Sequence, residues 1–368
     1  MIRSCDVGSL PFVGDSEKFV ERANSFSLSS VDESAEFFEK KVLEGLLDKI
    51  RVGIDVPTFP QFRDMNEMFL SMMDGVERIK GGYLETVTPS LKTGKRSIPE
   101  VMVIERHSQR IQEEKGAAFD VRICVTGPYT LSSFFPYRHK SLFTMLGNII
   151  SQIVENSIFN DKYGRVSLVS VDEPLFGLQD DALIDFGSEG REHLRRAWES
   201  IFQKAKSKNA QTLMHLHSTV DELFWDVDSL DVIESHVDDP LYQMKKTKEK
   251  LESTDKFLKA SIAVSEFDRL IGQKILSNSQ EKLTEISTNE KVAESWKSIS
   301  RGTADPKIFL EDVDVMKIRL AKLVDRFGAE RVPYAGPECG LKGFPTYESA
   351  LECLRRVSSA TKSFEKNS

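Results

Sequence analysis

Short apolar segments alternate with longer amphipathic segments along all 368 residues of the chain. Short apolar segments that end at glycine, proline or polar residues are typical of buried strands. About eight strands are predicted in this way: one that ends at Asp6–Ser9, then Gly53–Val56, Asp120–Thr126, Val166–Val171, Thr212–Leu216, Leu230–Glu234, Phe257–Val264 and Val332–Ala335.

The longer segments carry apolar residues at helical spacing, as Val42 and Leu46 do in the first of them, and this spacing predicts helices between the strands. Asp32 or Ser34 could cap the first helix. A glycine-rich hairpin is predicted near Gly81–Gly82. The predicted helices are Val31–Ile50, Asn66–Met73, Pro99–Glu114, Ser141–Phe159, Glu189–Lys206, Leu241–Leu251, Ile308–Phe327 and Tyr347–Val357.

One alternating series of strands and helices predicts an α/β fold whose strands close into a single parallel (β/α)8 barrel, the TIM barrel. An open doubly wound sheet is the alternative, but the Gly-rich phosphate turn of such sheets does not follow the first strand. We find no linker or low-complexity tract, so residues 1–368 are expected to form one domain. The polar, helix-prone stretch at about 268–305 is predicted to be an insertion in it.

Composition and charge exclude several kinds of partner. The chain has 50 Lys and Arg residues, 58 Asp and Glu residues and a net charge of −8, so no nucleic-acid partner is expected. The most apolar helical stretch, Leu142–Val154, is too short and too polar to span a membrane. The N-terminus lacks the apolar core of a signal peptide, and the cysteines are too dispersed for a disulfide framework. We therefore expect a cytoplasmic protein with free thiols at Cys5, Cys124, Cys339 and Cys353.

Two histidines at the end of the predicted strand Thr212–Leu216 are the first candidates for chemistry. His215 and His217 point to the same side, because side chains alternate along a strand. Two imidazoles on one side form half of a zinc site, and Glu234 or Cys339 could supply the remaining ligands. The alternative is that both are ordinary hydrogen-bonded histidines of a strand.

The polar residues of interest all follow predicted strands. In a parallel barrel the active site lies where the carboxyl ends of the strands meet, so these side chains are expected to converge there. They are Ser9, Asp172, His215, His217, Glu234 and Cys339.

Six short motifs, in chain order and spread over nearly the whole length, resemble those of the catalytic C-terminal barrel of cobalamin-independent methionine synthase. They are Val7-Gly8-Ser9-Leu10-Pro11, Thr126-Gly127-Pro128-Tyr129-Thr130, Val171-Asp172-Glu173-Pro174, His215-Leu216-His217, Ile233-Glu234-Ser235 and Pro337-Glu338-Cys339-Gly340-Leu341-Lys342. The resemblance implies a single-barrel form of that family, with a barrel of the methionine synthase/uroporphyrinogen decarboxylase-like type.

The resemblance also implies a zinc ion and its ligands. Carried over position by position, the ligands would be His215, His217, Glu234 and Cys339, with His217 where the family has a cysteine. Imidazole can hold zinc, so the substitution is chemically acceptable. It also makes the ligand set less negative by one charge, because a neutral ring replaces a thiolate. The alternative is that only His215 binds the metal, while His217 lies next to it outside the ligand set.

The implied reaction is zinc-dependent transfer of a methyl group to the thiol of homocysteine, which yields methionine. Gly8 and Ser9 would bind the amino-acid carboxylate, and Asp172 would bind the ammonium. Asp172 and His215 are thus the implied catalytic residues. Gln61 stands where the family has a glutamate that contacts the substrate amine, which leaves the identity of the substrate open.

The methyl donor is expected to be a methylcorrinoid, such as methylcobalamin or a corrinoid protein, rather than methyltetrahydrofolate. Val264 stands at the position of a family histidine proposed to protonate the folate leaving group, and Phe134 replaces a family tryptophan. The family's N-terminal barrel, which helps to hold folate, has no counterpart in this sequence. Cobalt(I) leaves without protonation.

Other functions remain as alternatives at this stage. A corrinoid-dependent methyltransferase acting on coenzyme M would also use zinc and a thiol, but it would not need an anion at Asp172. A folate-dependent methionine synthase is a second alternative. Uroporphyrinogen decarboxylase relies on an arginine-rich N-terminal motif, to which Arg3 alone is no match. A zinc-stabilised barrel without catalytic activity is the last.

Overall fold

A curled sheet of seven parallel strands forms the centre of the computed structural model, which describes residues 1–27, 33–279 and 284–365. Across this sheet the strand order is β1-β9-β8-β7-β6-β5-β4, and β2 and β3 form a separate antiparallel hairpin. The strands are β1 (Arg3–Ser4), β2 (Met73–Ile79), β3 (Gly82–Leu91), β4 (Phe119–Thr126), β5 (Gly164–Glu173), β6 (Gln211–Leu216), β7 (Val232–Glu234), β8 (Phe257–Ala263) and β9 (Tyr334–Pro337).

The parallel strands are buried on both sides, which explains why they appear in the sequence as continuous apolar runs rather than alternating ones. β4 and β6 are buried over nearly their whole length, and helices cover the outer side of the sheet. Seven of the predicted strands correspond to strands of this sheet. The predicted hairpin near Gly81–Gly82 is confirmed as β2 and β3.

The predicted strand Gly53–Val56 is wrong as a strand, because only isolated bridges form there. Val56 makes a parallel bridge with Cys5 beside β1, and Thr58 makes one with Arg122 of β4. Pro57 and Pro60 have no amide hydrogen to donate, so a continuous ladder cannot form in this segment. The bridges nevertheless place this segment between the two outer strands of the sheet, which is consistent with a TIM-like barrel.

Helices connect successive strands. They are α1 (Ser16–Ser25), α2 (Glu33–Arg51), α3 (Glu67–Leu70), α4 (Pro99–Arg106), α5 (Ser108–Lys115), α6 (Pro128–Ser132), α7 (Lys140–Ser157), α8 (Glu189–Ser207), α9 (Lys245–Thr254), α10 (Phe267–Asn278), α11 (Glu285–Ser300), α12 (Val313–Phe327) and α13 (Tyr347–Glu365). Short 3-10 turns occupy Ala182–Ile184, Leu223–Asp226, Pro240–Tyr242, Pro306–Phe309 and Ala329–Arg331.

One predicted helix is divided in the structure, and the predicted start of another cannot be compared. The predicted helix Pro99–Glu114 is divided at His107, whose φ of −102° and ψ of 18° leave the helical region. The predicted start of the first helix, Val31, and its candidate cap Asp32 lie outside the described residues. No helix in the described ranges is long and apolar enough to cross a membrane.

The stretch predicted as an insertion contains α10 and α11, apart from residues 280–283, which lie outside the described ranges. The two helices pack together through Phe267 and Trp296, whose ring centroids are 5.4 Å apart. Phe267 also packs at 5.1 Å against Phe344, in the loop that follows β9. The helical pair therefore lies beside the loop that carries Cys339.

Candidate metal centre

Register brings three of the predicted site residues side by side. Asp172 on β5 pairs with His215 on β6, and His215 pairs with Glu234 on β7. Paired residues of neighbouring parallel strands point to the same side of the sheet, so the three side chains enter the same interior space. All three are buried. This is the carboxyl end of the sheet, as the sequence predicted.

Four side chains that can hold a metal converge at this end. One ligand atom from each of His215, His217, His236 and Cys339 lies within 4.8 Å of all the others. Cys339 Sγ lies 3.5 Å from His217 Nε2. The ring of His217 is 5.3 Å from that of His215 and 4.3 Å from that of His236, measured between centroids. We call these four residues the His3Cys cluster.

Buried nitrogen atoms without partners show that the His3Cys cluster suits a metal ion. His215 Nδ1 lies 3.1 Å from Glu234 Oε1 but outside hydrogen-bond angles, so neither ring nitrogen of His215 has a hydrogen-bond partner. His236 Nε2 is also buried without one. Unpaired polar atoms in a protein interior are costly, and a metal ion would satisfy them. Three imidazoles and one thiol form a donor set that zinc accepts.

Electrostatics at the His3Cys cluster favour an ionised thiol. Burial opposes ionisation of Cys339, but the nearby imidazoles of His215, His217 and His236 hold the pKa of this thiol well below its usual value. Burial also opposes protonation of His215, yet its contacts with Cys339 and Glu234 raise its pKa to about 10. A thiolate is the form of cysteine that binds metals.

Glu234, which the sequence predicted as a ligand, lies beside His215 but outside this group of four. Arg122 Nη2 lies 2.5 Å from Glu234 Oε1, and Lys259 Nζ pairs with Oε2. All three side chains are completely buried. Burial opposes ionisation of Glu234, but Arg122 and Lys259 keep the pKa of its carboxyl well below the usual value.

Sequence reasoning did not include His236 among the metal ligands. The residue lies two positions after Glu234, and a period of two places both on the same side where β7 ends. That spacing is the signal that could have identified it. The neighbouring backbone is held by Glu338, whose carboxylate accepts hydrogen bonds from Val237 N at 2.8 Å and Ser265 N at 3.0 Å.

The residues predicted to bind an amino-acid carboxylate lie next to the loop that carries Cys339. Ser9 O accepts a hydrogen bond from Leu341 N at 2.9 Å, and the Ser9 hydroxyl leaves no room for a Cβ at Gly340. Gly8 has a φ of +133°, a conformation that residues with a side chain rarely adopt. Gln61 forms a parallel bridge with Ser9, so it lies beside the same segment.

Asp172 is buried beside the same space. Its Oδ1 accepts a hydrogen bond of 2.5 Å from Ser170 Oγ and lies 3.9 Å from Arg122 Nη2. Burial raises the pKa of the Asp172 carboxyl above its usual value, although the charges of His215 and Arg122 oppose that rise. A cationic group brought next to Asp172 would stabilise the ionised form.

Glu173, the residue that follows, is structural. Its Oε1 accepts hydrogen bonds from Tyr129 N at 2.9 Å and Trp198 Nε1 at 2.7 Å, and its Oε2 accepts one from Thr130 N at 2.7 Å. Burial raises its pKa to about 7, and these donors oppose the rise. The carboxylate thus joins the end of β5 to α6 and α8, which fixes the neighbouring Asp172.

No protein-family model and no curated protein sequence matches this chain. Solved structures that share its fold include the following two. The structure of a B12-independent methionine synthase from Shewanella sp. W3-18-1 in complex with selenomethionine has a TM-score of 0.63 and 13% identity, covering 100% of this chain and 98% of that one. The putative vitamin-B12 independent methionine synthase from Listeria monocytogenes has a TM-score of 0.55 and 15% identity, with coverage of 99% and 98%. These likenesses show the fold.

Proposed function

We propose that this protein transfers a methyl group to the thiol of homocysteine and forms methionine, with a zinc ion held at the His3Cys cluster. The observation that carries the proposal is the convergence of three imidazoles and one thiol at the carboxyl end of the sheet, with ligand atoms within 4.8 Å of one another. Buried nitrogens of His215 and His236 without partners support a metal there.

A bound zinc would supply Lewis acidity that keeps a coordinated thiol, with an ordinary pKa of about 8.5, as its thiolate at neutral pH. The protein would position the metal and the substrate thiol. His215, His217, His236 and Cys339 would hold the metal at the carboxyl end of the sheet.

The amino-acid part of homocysteine would lie between the β1 segment and β5. Asp172 would accept the ammonium group, and Gly8 and Ser9 would bind the carboxylate. Support comes from the burial of Asp172 at 3% exposure and from the contact between Ser9 and the loop that carries Cys339. Gln61, beside Ser9, would contribute an uncharged contact. The Shewanella structure contains selenomethionine, an amino acid of this class.

The finer architecture belongs to the same proposal. Residues 1–368 would form one catalytic (β/α)8 barrel, with the segment around Val56 and Thr58 in the place of the eighth strand and 268–305 as an insertion. Support comes from the bridges that connect this segment to both outer strands. The two similar solved structures also match this chain over nearly their whole length.

For the methyl donor we propose a methylcorrinoid, either free or on a protein. Val264 is buried and apolar at the position where a folate donor would need a proton source, and its backbone nitrogen donates to Glu311 Oε2 at 2.8 Å. Cobalt(I) needs no proton when it leaves. Phe134, whose backbone oxygen is bonded to Tyr83 N, offers a smaller stacking surface than an indole.

Thiol selectivity tests the proposal. The zinc-loaded protein should bind homocysteine more tightly than 4-sulfanylbutanoate, which lacks the ammonium group, or 3-sulfanylpropylamine, which lacks the carboxylate. Calorimetric titration of each thiol measures the difference. Equal affinity for all three thiols would contradict binding of an amino acid, and a preference for 2-sulfanylethanesulfonate would favour the coenzyme M reaction instead.

A further inference from the structure

Both carboxylate oxygens of Glu234 are already paired with cations. Oε1 accepts a hydrogen bond of 2.5 Å from Arg122 Nη2, and Oε2 forms an ion pair with Lys259 Nζ without a hydrogen bond. None of these side chains is exposed to solvent. Two buried cations thus share one buried anion, so each oxygen of that anion neutralises a charge that water cannot reach.

The two cations are held in place from opposite directions. Arg122 Nη2, on β4, also donates to Ser170 Oγ at 2.9 Å, and Lys259 Nζ, on β8, donates to Pro337 O at 2.7 Å. Each cation would have to give up this second hydrogen bond to follow Glu234 if the carboxylate moved to a metal ion. Such a move would leave buried positive charge without its counter-ion, which is strongly unfavourable.

Glu234 is placed instead to orient His215. Its Oε1 lies 3.1 Å from His215 Nδ1, within hydrogen-bond distance but not at hydrogen-bond angles, and both ring nitrogens are buried without a partner. Histidines that bind metals commonly donate the N–H of their second ring nitrogen to a carboxylate, which fixes the tautomer. In that tautomer Nδ1 carries the proton towards Glu234, and the lone pair of Nε2 is free for a metal.

His236 supplies the fourth possible metal ligand in place of Glu234. Its ring centroid is 4.3 Å from that of His217, and its buried Nε2 has no partner. The loop that carries it is fixed, because Glu338 accepts hydrogen bonds from both Val237 N and Ser265 N. Glu338 directly precedes Cys339, so the same residue fixes the backbone next to both His236 and Cys339.

We infer that His236 is the fourth ligand of the metal centre and that Glu234 is a positioning residue, which orients His215 from outside the ligand set. This inference rests on the metal centre of the proposed function. The centre then has one anionic ligand, Cys339, rather than two. With zinc this ligand set would carry a net charge of +1, which would attract an anionic thiolate.

The native protein provides the first test. X-ray absorption of the zinc-loaded wild-type chain distinguishes imidazole from carboxylate ligation, because imidazole rings give outer-shell scattering that carboxylates lack. We expect three imidazoles and one sulfur. Two imidazoles, one carboxylate oxygen and one sulfur would overturn the inference. This measurement needs no variant, so it does not depend on how any substitution affects folding.

Two variants and a control provide the second test, read by cobalt(II) absorption and by metal affinity. His236→Ala should lower the affinity by more than the roughly 100-fold upper limit for loss of an outer partner and should change the ligand-field bands. Glu234→Gln should lower it about 10–100-fold and leave those bands in place. His193→Ala, which removes a histidine bonded to Thr144 outside the cluster, should do neither.

The double variant Glu234→Gln/Lys259→Met keeps the net charge of the buried group unchanged, so it guards against misfolding of the single variant. The inference fails if the Glu234 variants lose the cobalt bands while His236→Ala keeps them. A wild-type chain that binds no metal would instead contradict the proposed function itself. Stoichiometric metal bound with a different ligand set would contradict the inference and leave metal-dependent methyl transfer at this end of the sheet as the proposed function.

Discussion

Cys339 Sγ and His217 Nε2 lie 3.5 Å apart, although 122 positions separate the two residues in the sequence. Cys339 follows β9 and His217 follows β6, and two further strands lie between them in the sheet. Only the curl of the sheet brings these two strand ends together. The His3Cys cluster is therefore a product of the whole fold, and each of its members can be tested separately.

Replacing Cys339 with serine should remove most of the bound metal. A neutral hydroxyl replaces the anionic thiolate, and zinc prefers the softer anionic ligand. We expect a loss of affinity larger than the roughly 10–100-fold that is typical of a lost outer partner. Metal content after competition with a chelator measures the loss. Cys353→Ala, a buried cysteine on α13, is the control. Unchanged metal stoichiometry in Cys339→Ser would show that Cys339 is not a metal ligand.

Asp172→Asn should weaken homocysteine binding and leave the metal in place. Removal of one partner of a buried ion pair costs about 3–5 kcal/mol, and Asp172 is only 3% exposed. The Michaelis constant for homocysteine should therefore rise steeply at unchanged metal content. Asp180→Asn, an exposed residue in the loop after β5, should leave it unaltered. A Michaelis constant that does not move in Asp172→Asn would show that another residue binds the ammonium.

Glu173→Gln should destabilise the fold. The variant's amide NH₂ would face Thr130 N, or both Tyr129 N and Trp198 Nε1, so at least one buried donor would meet another donor. An unsatisfied buried group of this kind costs about 1–3 kcal/mol. Urea unfolding measures the change, with the exposed Glu252→Gln on α9 as the control. Equal midpoints for the two variants would mean that the three hydrogen bonds contribute little.

Methylcobalamin should support methionine formation, and methyltetrahydrofolate should not. A folate nitrogen must gain a proton as the methyl group leaves, and the buried side chain of Val264 has none to give. The assay compares both donors at matched concentration with the zinc-loaded protein. Rapid turnover with methyltetrahydrofolate alone would contradict the choice of donor. Glu266, which is exposed next to this strand end, would then be the first candidate proton source.

The sequence predicted the strands well where local pattern alone determines them. β4, β5 and β6 are continuous apolar runs, and the predicted and observed boundaries differ by a few residues at most. The segment at Gly53–Val56 has the same local pattern, but Pro57 and Pro60 lack the amide hydrogens that a continuous ladder with both neighbouring strands would need. The break at His107 is likewise not indicated by the helical spacing.

The candidate site was predictable as a location but not as a complete set of contacts. The strand-end rule placed Asp172, His215 and Cys339 at one end of the sheet. The surroundings of Glu234 could not be predicted, because Arg122 and Lys259 come from β4 and β8, on either side of β7. Contacts between residues that are far apart in sequence require the register of the folded sheet.

Metal-dependent formation of methionine tests the account most directly. The protein is stripped of metal with a chelator, then assayed with homocysteine and isotopically labelled methylcobalamin before and after zinc is restored. We predict labelled methionine from the zinc-loaded wild-type chain, loss of product on metal removal, recovery with zinc, and no recovery in Cys339→Ser. Undiminished methionine formation by the stripped protein, or no product from either methyl donor with zinc fully bound, would contradict the account.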